Sequence, residues 1–129
     1  MQNTLKVKVY YSDTDAEGVV YYANYLKWFE AGRTELIHQM GINLKTLREK
    51  ENMVFAVKEV NCKYNAPAKL YEEITIQTKI KETTGARITF EQKAVRGSEV
   101  LVEGNIVLFA LDMKKFKPVK IPPSLTASL

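Results

Sequence analysis

The sequence predicts an α+β domain in which an antiparallel sheet packs one face against a single long helix. Three observations carry this expectation. Apolar and polar residues alternate at strand period near the start of the chain, the spacing turns helical over residues 23–40, and from residue 54 the strand period returns and persists through tight turns. With 129 residues the chain is long enough for one core and too short for two substantial ones, so a single domain over 1–129 is expected.

Leu5, Val7, Val9 and Tyr11 alternate with Lys6, Lys8 and Tyr10, the pattern of a half-buried strand. Residues 12–20 contain Ser12, Asp13, Thr14, Asp15 and Gly18 and predict a loop. Leu26, Phe29, Leu36, Ile37 and Met40 then fall on one broad helical face, with Ala31 and Gly32 as small positions where a sheet can approach and Gly41 placed to stop the helix. Residues 43–50 predict a short second helix capped by Asn43.

The remaining chain predicts strands. Val54, Ala56, Lys58, Val60, Cys62 and Tyr64 form one alternating set that ends before Pro67. Ile74, Ile76, Thr78 and Ile80 form another, with Thr75, Gln77, Lys79 and Lys81 on the opposite face. Residues 82–85 make a turn into a strand over 87–95, and residues 96–99 make a second turn into a strand over 100–111, so this half is an antiparallel meander. Three of the four prolines lie beyond residue 114, in a segment expected to trail over the surface. The last strand is apolar on both faces: Leu101, Val107, Phe109 and Leu111 alternate with Val100, Val102, Ile106 and Leu108. One helix cannot cover both faces, so an oligomer is expected.

A hydrophobic fraction of 46% and a charged fraction of 26% are those of an ordinary globular protein. The net charge of +4 is spread along the chain except at Met113, Lys114, Lys115, Phe116 and Lys117, with Lys120 nearby. That cluster reads as solvated surface or as a contact for a phosphate-bearing partner, such as a substrate carrying a nucleotide. No RNA-recognition motif or finger spacing supports a nucleic-acid partner. The single cysteine, Cys62, cannot form an internal disulfide and fits a reducing compartment. No apolar run reaches the ~18 residues of a membrane span, and the first residues lack the apolar core of a signal peptide, so a cytoplasmic location is expected.

There is no GxSxG elbow and no GxxxxGK[ST] phosphate loop. His38, the only histidine, lies roughly four turns along the predicted helix, far from the acidic loop. One cysteine and one histidine argue against an ordinary zinc site, and neither a metal nor a cofactor is expected. Carboxylates remain: Asp13 and Asp15 in the loop and Glu30 inside the helix. A carboxylate beside a helix start, whose unbonded N–H groups can polarise a carbonyl, suits acyl transfer. Each residue also has a plainer reading. An aspartate before a helix is often a cap, although Asp15 precedes the helix by too many residues for simple capping, and Glu30 is spaced to pair with Lys27 or Arg33.

The string Tyr11-Ser12-Asp13-Thr14-Asp15-Ala16-Glu17-Gly18-Val19-Val20-Tyr21-Tyr22-Ala23-Asn24-Tyr25 resembles the signature of the 4-hydroxybenzoyl-CoA thioesterase family. It is most similar to the acyl-CoA thioesterase branch encoded with the Tol-Pal envelope genes. The likeness continues through Trp28-Phe29-Glu30-Ala31-Gly32-Arg33-Thr34-Glu35 and Cys62-Lys63-Tyr64-Asn65-Ala66-Pro67-Ala68. The resemblance implies the hotdog fold, an antiparallel sheet wrapped around a long central helix, with protomers paired through their sheets and dimers commonly paired into tetramers.

It also implies that Asp15 is the catalytic carboxylate, as nucleophile or as general base on water, and that the Tyr22 backbone N–H holds the thioester oxygen. Val20 and Tyr21 are then expected to contact substrate, Asp13, Asn24 and Glu30 to support the site, and Lys63, Arg87 and Arg96 to meet the CoA phosphates. Two positions depart from the branch, which usually carries histidine where this chain has Tyr22 and often arginine where it has Ala31. The backbone donor survives either residue at position 22, whereas a side chain that titrates near neutrality does not. The resulting expectation is hydrolysis of an acyl-CoA, with acyl carrier protein as a further partner. The alternative is a non-catalytic acyl-CoA or carrier-protein binding module on the same fold.

Overall fold

A computed structural model describes residues 2–126. The chain runs through β1 (Gln2–Lys8), a 3-10 turn (Tyr11–Asp13), α1 (Asn24–Gln39), α2 (Leu44–Glu51), β2 (Met53–Tyr64), β3 (Glu73–Thr84), β4 (Arg87–Arg96), β5 (Glu99–Asp112), β6 (Lys117–Val119) and α3 (Pro123–Thr126). The sheet order is β1-β3-β4-β5-β2, every neighbouring pair is antiparallel, and β6 adds to β5. The two helices therefore carry the chain from one edge of the sheet to the other, and α1 crosses the concave face on the way. Register shifts at Val57/Glu59, Ile80/Glu82 and Ala94/Val95 mark bulges, which bend strands and increase twist, so the sheet curls around α1.

The α1 boundaries match the helical spacing to within one residue, and Asn43 caps α2 by accepting from the Thr46 N–H at 3.1 Å. The buried face of α1 is rotated from the expected one. Tyr25, Trp28, Phe29, Gly32, Arg33, Leu36 and Ile37 face inward, while Leu26 is exposed. Positions 25, 28/29, 32/33 and 36/37 form the inward stripe, and Leu26 lies one position off it.

Cross-strand partners share a face, so the register reads out rows beneath the helix. One row runs Ile76–Ala94–Val102–Tyr64, the next Thr78–Gln92–Gly104–Cys62, and the next Ile80–Phe90–Ile106–Val60. Residues of β3, β4 and β5 in these rows are mostly buried, whereas Val57, Val60 and Tyr64 on β2 remain substantially exposed. The helix covers the β1–β3–β4 side and leaves the β2 side of the concave face open.

The middle row is polar and carries the helix contact. A Cβ at Gly32 would stand 2.5 Å from Thr78 Oγ1 and 3.1 Å from Ile76 Cγ2, so the absent side chain sets how closely α1 meets the sheet. Gln92, fully buried, donates from Nε2 to the Phe29 carbonyl and to Thr78 Oγ1, both at 2.8 Å, and its Oε1 accepts from Arg33 Nη1 at 3.0 Å. Burial lowers the Arg33 pKa, a shift that the Glu30 charge opposes. Every polar side chain of this contact has a partner, as a buried one requires.

Four further sequence expectations are corrected. Tyr11 is not the last inward residue of β1; it sits in the 3-10 turn and is 83% exposed. The bulge in β2 switches its phase, so Val54 and Ala56 share the face of Leu111 and Phe109, opposite Val60, Cys62 and Tyr64. Residues 82–84 extend β3 beyond its own bulge, and the turn begins at Gly85. The proline-rich end is docked rather than trailing: β6 pairs with β5, the Ile121 N–H bonds the Gly85 carbonyl, and Ile121 and Leu125 are buried. Residues 127–129 of that segment lie outside the described residues. Leu101 and Leu111 are also buried within the protomer, which absorbs part of the apolar excess of β5.

Gly32→Val should destabilise the protein by about 1–3 kcal/mol through overpacking against Thr78 and Ile76, read as a lower urea midpoint at unchanged slope. Burial raises the Cys62 thiol above its ordinary value, against the opposing charge of Arg33. Less thiolate is therefore present at neutral pH than in free cysteine. Iodoacetamide should alkylate the folded protein more slowly than free cysteine and speed up when urea unfolds it.

Candidate functional site

The acidic loop folds into a small hairpin against the start of α1. Thr14 bridges Val20, the Asp15 N–H bonds the Val19 carbonyl at 2.9 Å, and the Gly18 N–H bonds the Asp15 carbonyl at 3.0 Å. Gly18 turns the chain at φ +79°, a conformation that glycine adopts without a Cβ penalty. Val19 bridges Lys69, and the Val20 N–H bonds the Ala68 carbonyl at 2.9 Å, which seats the hairpin on the 64–72 loop.

Asp13 and Asp15 are used differently. The Asp13 carboxylate accepts the Tyr10 N–H at 2.8 Å and closes the 3-10 turn. Its backbone carbonyl accepts both the Tyr21 N–H and Asn24 Nδ2 at 2.9 Å, so Asp13 and Asn24 tie the loop to the first residue of α1. Asp15 is exposed, and one of its oxygens accepts the Glu17 N–H at 2.9 Å. This local bond orients the carboxylate and leaves the other oxygen open to solvent. The two spare-looking aspartates of the sequence thus separate into one structural carboxylate and one available carboxylate.

The first turn of α1 is built from short-range bonds: Asn24 to Tyr21, Tyr25 to Tyr22 and Leu26 to Ala23. The N–H groups of Tyr22 and Ala23 have no backbone acceptor among the described residues. Such groups at a helix start carry partial positive charge and suit an oxyanion. Aromatic rings surround this end. Tyr22 contacts Tyr21 at 4.9 Å and Tyr64 at 6.1 Å between ring centroids, and Tyr25 contacts Tyr64 at 5.8 Å and Trp28 at 5.5 Å. The Tyr25 hydroxyl accepts the Ala68 N–H at 3.0 Å, and burial raises its pKa. Tyr64 and Tyr25 are aromatic neighbours that only the folded chain assembles, since β2 is distant in sequence.

The other predicted residues are dispersed. Val20 is buried beneath the hairpin, while Tyr21 and Tyr22 are exposed. Glu30 lies about 12 Å farther along α1 than Tyr22 and lines a cavity of about 660 Å³ with Arg33, Ile37, Phe55, Val57 and Leu108. Lys63 is exposed and paired in register with Glu103, on the face away from the helix. Arg96 is held by Glu72 at 2.8 Å, Glu99 at 2.6 Å and the Pro67 carbonyl at 3.2 Å, and it fastens the 64–72 loop to β4. Glu99 and then Glu72 raise its pKa. Arg87 begins β4, so nine residues of extended strand put it about 30 Å from Arg96 within the protomer. The sequence spacing offers Arg33 as a partner for Glu30; the signal for its burial is its place on the inward helical stripe.

A model of the thioesterase-like superfamily matches residues 9–129. The chain is 38% identical over 122 residues to the acyl-CoA thioesterase YbgC of Haemophilus influenzae, covering 95% of this chain and 90% of that protein. Among solved structures it superposes on a probable thioesterase from Bartonella henselae with TM-score 0.89 and 33% identity, covering 95% of this chain and all of that one. A 4-hydroxybenzoyl-CoA thioesterase mutant complexed with 4-hydroxybenzoyl-CoA gives TM-score 0.89 at 16% identity over 96% of each chain, a likeness of fold. The curled antiparallel sheet around α1 is the hotdog fold. The chain belongs to the thioesterase-like superfamily.

Proposed function

We propose that this chain is an acyl-CoA thioesterase that cleaves the acyl–sulfur bond to give a free acid and CoA. The observation that carries the reading is the pair of unbonded N–H groups at Tyr22 and Ala23 beside the hairpin that presents Asp15. The thioester oxygen takes a hydrogen bond from the Tyr22 N–H, and the charge that develops there meets the positive end of α1. The open oxygen of Asp15 either attacks the carbonyl carbon or takes a proton from the attacking water. In both routes the tetrahedral centre collapses with loss of the CoA thiolate, and water supplies the second oxygen of the acid. Relatives named as acyl-CoA thioesterases support the substrate class.

The proposal extends to the whole assembly. One hotdog domain spans residues 1–129, acts in the cytoplasm, and pairs with a second copy to form a dimer and then a dimer of dimers. The twelve-residue edge strand β2 supports this pairing: its outer edge has no partner strand among the described residues, and it leaves Val57, Val60 and Tyr64 exposed. Acyl carrier protein is a further acyl donor in this reading; of the expected phosphate contacts, Lys63 and Arg87 stand outside the salt bridges of the described residues, whereas Arg96 is paired.

Asp15→Asn should lower kcat for acyl-CoA at least about a hundredfold, with CoA release followed by a thiol reagent. Tyr22→Phe should stay within roughly threefold of the parent, because the donor is backbone. Full activity in the Asp15 variant would overturn the mechanism. A screen over short, long and aromatic acyl-CoAs identifies the acyl group.

A further inference from the structure

The densest cluster of positive charge lies away from the site, at the turn between β5 and β6. Asp112 closes this turn, its Oδ1 accepting the Lys114 N–H at 2.8 Å and the Lys115 N–H at 3.1 Å. The Met113 N–H bonds the Asn52 carbonyl at 2.7 Å, and from Lys117 the chain pairs back onto β5. The apex is therefore fixed by backbone bonds on both sides.

What the turn displays is unusual. Phe116 has φ +53°, and its side chain is 73% exposed; Met113 is 42% exposed. A bulky residue in the left-handed region is strained, and burial of its ring against the chain would be the ordinary return for that strain. Here the strained backbone points the ring into solvent. Lys114, Lys115 and Lys117 flank it, Lys120 follows, and none of the four is in a salt bridge among the described residues. Asp112, which feels the charges of Lys114 and Lys115, is committed to the turn through their backbone N–H groups. The α2–β2 corner packed against the turn adds Lys50 and Glu51, which offset one another.

We propose that this turn is a docking point for an anionic lipid surface: Phe116 and Met113 enter the headgroup–acyl boundary, and the lysines meet the lipid phosphates. An exposed apolar tip collared by lysines that form no salt bridge among the described residues is complementary to that boundary, where apolar side chains and cationic heads are satisfied at different depths. A nucleotide of bound CoA fits less well. Along β5 the turn lies about 35 Å from Leu101, whose carbonyl holds the 64–72 loop beside the Asp15 hairpin. Phe116 is also largely exposed to solvent. Contact of this kind is reversible and peripheral, and it does not depend on the hydrolytic reading.

Co-sedimentation of the full chain with phosphatidylcholine vesicles, with and without phosphatidylglycerol, tests the proposal. Binding is expected to the anionic vesicles at low salt and is expected to fall as salt rises. The triple variant Lys114→Gln/Lys115→Gln/Lys117→Gln should lower the partition coefficient by roughly tenfold or more. Phe116→Gly, which also relieves the left-handed backbone, should lower it severalfold without lowering the thermal unfolding temperature and with hydrolysis of a soluble acyl-CoA unchanged. Equal binding to neutral vesicles, no binding at low salt, or unaltered binding by both variants would overturn it. So would a raised KM for acyl-CoA in the triple variant together with displacement of the vesicles by free CoA, which would assign the lysines to the nucleotide.

Discussion

The approach of α1 to the sheet at Gly32 is the contact on which the rest of the structure depends. With no side chain at that position, the helix backbone comes close enough for Gln92 of β4 to reach the Phe29 carbonyl and for Arg33 to reach Gln92. This polar row sits between apolar rows, so the helix is held at a fixed height and register as well as buried. Apolar packing alone tolerates sliding, whereas a buried donor or acceptor that loses its partner carries a desolvation penalty of about 1–3 kcal/mol. Arg33 adds a charge that burial disfavours, and its pairing to Gln92 makes the correct height of α1 the arrangement with the fewest unmet demands.

A helix fixed in this way has a fixed N-terminus, and the candidate site is built around it. Asp13 and Asn24 fasten the acidic loop to the first turn, the Val19–Lys69 and Val20–Ala68 contacts fasten it to the 64–72 loop, and Arg96 fastens that loop to β4. Asp15 and the unbonded N–H groups of Tyr22 and Ala23 are thus presented by scaffolded backbone. One oxygen of Asp15 and the two N–H groups are left open, while Asp13, Asn24 and Arg96 around them are engaged. Preorganisation of this kind is what electrostatic stabilisation of an oxyanion requires.

Elements governed by local periodicity were legible before the fold was known. The bounds of α1 and α2, the Asn43 cap and the inward set Ile74, Ile76, Thr78 and Ile80 follow from spacing and short-range bonding. Errors gathered where one extra residue changes phase. The bulge in β2 moved Val54 and Ala56 to the opposite face, and the bulge in β3 turned residues 82–84 from turn into strand. Leu26 was misassigned because a broad helical face has two edges, and only contact with β1, β3 and β4 decides which edge is buried. The docked C-terminal segment was illegible for a related reason: its prolines suppress local strand character, and its pairing depends on the open edge of β5 beyond Arg87.

For the site, the sequence by itself determined the family signature, the acidic loop and the helix that follows it, because these are contiguous residues whose order alone carries the pattern. Its resemblance to the family singled out Asp15 and put Asp13 in support. Only the tertiary structure showed how the two differ in bonding, by committing the Asp13 carboxylate to the Tyr10 N–H and leaving an oxygen of Asp15 open. It likewise brought Tyr64 to Tyr22 and Tyr25, locked Arg96 into ion pairs and set Arg87 at the far end of its strand. The physical reason is that spacing specifies which groups a segment can offer, whereas partnership is set by strands that are neighbours in space and distant along the chain.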